Sequence, residues 1–126
     1  GSLCELDEPG VLEQLAEDTL IVYLKPSEAM LSQIVERSLL EPKPMYYQNL
    51  FLDQVLPQYL DEQNLSKPEE IVPDDYFRCM FPRLVEHRLP RYQEIADRYG
   101  VVLEAERIDD IRGETEFLEL ICEALD

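Results

Sequence analysis

Arg88 is the residue whose type and position ask most directly for chemistry. It lies on the apolar stripe of a long helical segment, four positions after Leu84 and four before Tyr92. A guanidinium keeps its charge, so on an inward face it must meet an anion. One candidate is a carboxylate of this chain, the commoner arrangement because arginine is usually paired where it is buried. The other is an anionic ligand in a cleft. Arg37 and Lys43 flank the start of a proline-rich zone. A basic pair at the root of a lid suits phosphate neutralisation, although solvated surface charge also accounts for them. His87, the only histidine, neighbours Arg88 but lies off the stripe and reads as a surface residue rather than a general base.

Other chemistry is thinly supported. Cys4, Cys79 and Cys122 are scattered, odd in number and without metal spacing, and read as reduced thiols, mostly core filler. No Ser–His–Asp set or metal-ligand cluster stands out. With 28 Asp and Glu, chance carboxylate pairs carry no signal. No G-x-x-x-x-G-K-[ST] phosphate loop occurs, and four glycines offer little backbone suited to wrapping a triphosphate. The net charge of -17 argues against phosphate backbones and anionic lipid as partners. No run approaches the length of a membrane span and no signal peptide is visible, so the expected location is the cytoplasm.

The elements that must position these residues start from TLIVYL, which runs from Thr19 to Leu24. An almost wholly apolar run bounded by turn chemistry predicts a strand buried on both faces. Ser27 offers a cap for a following helix whose apolar positions are Leu31, Ile34, Val35 and Leu39. Ahead of the strand, Asp7 or Glu8 caps a first helix with Pro9 in its opening turn. Residues 41–75 form an irregular zone broken by five prolines, with one amphipathic piece carrying Leu52, Val55, Leu56, Tyr59 and Leu60. Such an insertion reads as a lid or binding loop.

A long helix then runs to about Tyr99, with Gly100 as its stop and Pro82 and Pro90 expected to bend or divide it. Residues 101–103 form a second short strand. A last helix over about 115–125 buries Phe117, Leu118, Ile121, Cys122 and Leu125. The order predicts an α/β domain with a parallel sheet, within a chain of 126 residues too short for two domains.

At Arg88 the sequence resembles a family. RLPRYQEIAD, residues 88–97, is similar to the R-x-P-x-Y-x-E-x-A-D segment of shikimate kinases. IVYLKPSEAMLSQIVER is similar to their V-V-Y-L strand and the helix leading to the lid. Gly1 and Ser2 sit where that family carries a glycine-rich turn. The resemblance implies the helix-rich C-terminal portion of a P-loop kinase-like fold with a long lid-like insertion. It implies that Arg88 holds a substrate carboxylate and that Arg37, with Lys43 near it, approaches the nucleotide phosphates. The usual R-P-L-L of the lid is absent, which argues against shikimate itself.

The phosphate loop and magnesium ligands of such a kinase are not in this sequence. The first functional expectation is therefore the lid and substrate wall of an ATP-dependent small-molecule kinase, inactive alone, with ATP and magnesium expected only for an intact parent. The second is a non-enzymatic acidic protein-interaction module on a degenerate kinase fold. In either case the edge of TLIVYL is expected to be covered by an N-terminal half, a second copy of the chain, or a segment such as residues 3–6.

Overall fold

Two short runs rich in β-branched residues form the only sheet among the described residues. β1 (Ile21–Lys25) and β2 (Gly100–Glu104) pair in parallel, Ile21 opposite Gly100 and Lys25 opposite Glu104. The computed structural model describes residues 2–126. Gly1, set with Ser2 at a glycine-rich turn by the resemblance, lies outside the described residues. Helix accounts for 67% of the described residues, so the arrangement is α/β in the coarse sense, with helix dominating. The chain forms two units, residues 2–32 with 88–126, and residues 33–87.

In the first unit, β1 starts two residues later than TLIVYL suggests. Thr19 is held at the end of α1 (Val11–Asp18): its N–H donates to the Leu15 carbonyl at 3.0 Å and its hydroxyl at 2.6 Å. Helix α1 itself begins later than Pro9, after Gly10, whose φ of 83° makes the turn into it. The expected burial of β1 on both faces is not met. Ile21 is buried, but Leu24 remains 46% exposed, because a two-stranded sheet covers little of either face. Ile21 joins Leu12 and Ile95 in a small core, with Leu3 and Cys4 of a 3-10 turn (Leu3–Glu5) packed against it. At Gly100 a Cβ would stand 2.0 Å from the Ile21 carbonyl oxygen, so the close approach of the strands requires glycine there.

Helix α5 (Glu114–Leu125) packs beside β2. Phe117 and Ile121 are half-buried, whereas Leu118, Cys122 and Leu125 are exposed, which corrects the expectation that this helix buries all five. One short helix beside one short strand has nothing to cover its second face.

Helix α2 (Glu28–Leu40) and helix α4 (Pro73–Tyr99) contribute residues to both units. Ser27 caps α2, its Oγ accepting the Met30 N–H at 3.2 Å. Helix α4 is continuous through Pro82 and Pro90. Each interior proline costs about 3 kcal/mol through a lost N–H and a ring clash. Burial of Tyr76, Met80, Leu84, Ile95 and Ala96 along the same helix offsets that cost, at roughly 1.5–3 kcal/mol for each large side chain.

The second unit is built on α3 (Asn49–Glu62) and the first part of α4. Phe51, Val55 and Tyr59 recur every four residues and meet Tyr76, Met80 and Leu84 in one core, with Met80 wholly buried. Pro57 lies on the exposed side of α3, which runs through it. The stretch read as a lid-like insertion over 41–75 thus supplies half of a hydrophobic core. Phe51, its most buried member together with Tyr59, falls on the same face four residues before Val55, although the face read from the sequence starts only at Leu52.

Candidate functional site

Arg88 finds its anion within its own unit. Packing of Leu3 and Cys4 onto the Leu12, Ile21 and Ile95 core carries Glu5 to α4. There the Arg88 Nε donates to Glu5 Oε1 at 2.8 Å. The side chains are 20% and 9% exposed, so the pair is largely withdrawn from water. One turn further on, the Tyr92 hydroxyl hydrogen-bonds the Ser2 hydroxyl, and its ring lies 5.6 Å from that of Tyr23. Burial pushes both phenols above their ordinary ionisation range. Sequence reasoning misses Glu5 as the partner, because it lies in a stretch too short to show a periodicity.

The carboxyl ends of parallel strands are the usual ligand position in open α/β sheets. Here Lys25, Ser27, Glu104 and Glu106 line a cavity of about 240 Å³. One pair of its polar side chains is bonded within it, and Lys25 reaches a partner outside. Ser27 caps α2 and donates to Glu106, and the Lys25 ammonium donates to Gln93 at 3.2 Å. Glu104 and Glu106 outnumber the Lys25 ammonium there, which disfavours a phosphate at this position. Arg88 is not among the lining residues.

A larger cavity, about 350 Å³, adjoins β1. All four of Ile21, Val22, Tyr23 and Leu24 line it, together with Leu3, Tyr92 and Ile95. Consecutive strand residues point to opposite faces. A cavity touched by four in succession therefore runs along the strand's edge. No β2 residue lines it, so this is the edge turned away from β2. Among the described residues, no backbone group other than those of β2 hydrogen-bonds residues 21–25.

In the second unit, Arg37 and Lys43 meet at one cavity of about 210 Å³, with Met45, Phe77 and Phe81 beneath them. The structure thus brings together the two cations singled out in the sequence, around an apolar floor to which the helical stripes of α2 and α4 and the loop residue Met45 contribute. His87 is exposed, its ring 5.1 Å from that of Phe51. Among the described residues no group of three or more His, Cys, Asp or Glu is arranged to hold a metal ion. No helix among them is long and apolar enough to cross a membrane. Comparison with protein-family models, with curated proteins and with solved structures finds no match to this chain.

Proposed function

We propose that this chain is a non-enzymatic interaction module on a degenerate kinase-like fold, and that it binds an extended segment of a partner protein along the outer edge of β1. The observation that carries this reading is the open edge itself. N–H and C=O groups with no backbone partner among the described residues lie beside apolar side chains and a cavity of about 350 Å³ that runs along the strand. Strand addition supplies affinity through main-chain hydrogen bonds and specificity through pockets for alternate side chains. The net charge of -17 favours a partner segment with basic flanks.

Phosphoryl transfer is the weaker reading. It needs donors that stabilise charge on the transferring group. The strand ends present Glu104 and Glu106 beside Lys25, and Arg88 is engaged by Glu5.

Extended peptides selected from a displayed library, and then N-methylated one position at a time, test the proposal. Binding should fall at alternate positions of the peptide, and amide exchange at residues 21–25 should slow in the complex. Methylation tolerated at every position, or unchanged exchange in β1, refutes strand addition. Magnesium-dependent ATP turnover by residues 1–126, abolished by Arg37→Ala, would restore the kinase reading.

A further inference from the structure

We propose that the cavity between the end of α2 and the Phe77–Phe81 turn of α4 is a binding site for a small carboxylate with an aromatic body. This site is separate from the edge of β1 and does not depend on the function proposed for that edge.

The charge pattern points to an anion. Of the eleven lysines and arginines, six arginines sit in ion pairs and Lys25 hydrogen-bonds Gln93. Of the other four, Arg37 and Lys43 share this one cavity. Neither forms an ion pair among the described residues, although the chain holds 28 carboxylates and Glu41 lies on the same rim. Arg78 donates to the Leu39 carbonyl at 3.0 Å, so part of the negative end of α2 is already satisfied without Arg37. Two exposed cations at one rim, unclaimed by so acidic a surface, form a local positive field that an anion would complete.

The floor sets the rest of the ligand. Ile34, Met45, Phe77 and Phe81 make it apolar. A bare phosphate or acetate would leave this surface in water and gain nothing from it. A cavity of about 150 Å³ lined by aliphatic and aromatic side chains takes up benzene. At about 210 Å³, this one has room for a phenyl ring and a short tail. Phe77 and Phe81 offer aromatic contacts, Met45 an adaptable thioether, and the tail brings a carboxylate to Arg37 and Lys43.

Phenylpropionate is the probe, read by NMR at the Met45 methyl and the Phe77 and Phe81 rings, with phenylpropanamide, acetate and inorganic phosphate as comparisons. Saturable shifts are expected with phenylpropionate, and far weaker ones with acetate and phosphate. The exposed positions allow Arg37→Gln and Lys43→Gln without disturbing the core, which the unchanged amide spectrum verifies. Each should weaken phenylpropionate binding about threefold to fivefold, and both together about tenfold. Phenylpropanamide binding should be the same in all variants. No saturable shift, equal affinity for the amide and the acid, or tighter binding of phosphate than of phenylpropionate would each overturn the proposal.

Discussion

Gly100→Ala should be the most damaging conservative change in the sheet. The added Cβ would stand 2.0 Å from the Ile21 carbonyl oxygen, 2.8 Å from its carbon and 2.9 Å from the Ile21 Cβ. Ordinary contact begins near 3.4 Å, so the strands must separate by about 1.4 Å at their first pair. The nearest atoms are backbone, which no rotamer change can move aside. Overpacking of this kind costs about 1–3 kcal/mol. Loss of one ladder hydrogen bond adds about 1 kcal/mol. The expected loss is therefore about 2–4 kcal/mol, a large share of the 5–15 kcal/mol typical of a domain. Urea unfolding followed by the amide signals of β1 and β2 measures it. Gly113→Ala is the control: no atom lies within 4 Å of its Cβ and its backbone is extended, so its effect should stay within about 0.5 kcal/mol. Equal stabilities for the two variants would refute the steric argument.

Two further expectations concern named side chains. A double-mutant cycle on Glu5→Ala and Arg88→Ala should give a coupling of about 1–2 kcal/mol, between the values for exposed and buried pairs. If Arg88→Ala leaves stability unchanged but abolishes binding of a small carboxylate, the arginine serves a ligand and the structural pair does not matter. Tyr76 carries its phenol well above the ordinary range, because it is buried and because it hydrogen-bonds Tyr47 at 3.2 Å. The folded form then binds the proton more tightly than the unfolded one. That stability is fully present below about pH 10, the ordinary tyrosine value, and is lost as pH rises through the folded value. Tyr76→Phe should flatten the alkaline loss seen in urea titrations. Identical alkaline slopes in the two proteins would rule out this linkage.

How much of the fold is legible in the sequence depends on how local each cause is. Ser27 capping α2 rests on a contact among neighbours, and each strand is marked by its own short apolar run, although the pairing of Ile21 with Gly100 spans most of the chain. The partner of Arg88 rests on a contact 83 residues away. Charge and burial require an anion there, but no local pattern selects Glu5 from 28 carboxylates. The zone over 41–75 is hard to read for another reason. Its prolines mark helix ends, and Pro57 also lies inside α3, where it faces outward and interrupts nothing the core needs. Phe51, Val55 and Tyr59 then bury themselves against α4. Proline counting therefore overstates irregularity wherever the ring falls on the exposed side of an amphipathic helix.

The two functional readings ask the same thing of β1. In the kinase-like reading, the strand beside it would carry the phosphate loop. In the interaction-module reading, it would be a segment of another protein. Either neighbour must supply backbone donors and acceptors to one edge and apolar side chains to the cavity beside residues 21–24. The difference lies in the residues that come after the added strand. A phosphate loop would deliver its anion toward the carboxyl ends, where Glu104 and Glu106 would meet it. A partner segment with basic flanks brings no anion there. Those two carboxylates therefore suit the basic flank of the proposed partner segment better than the anion of a phosphate loop.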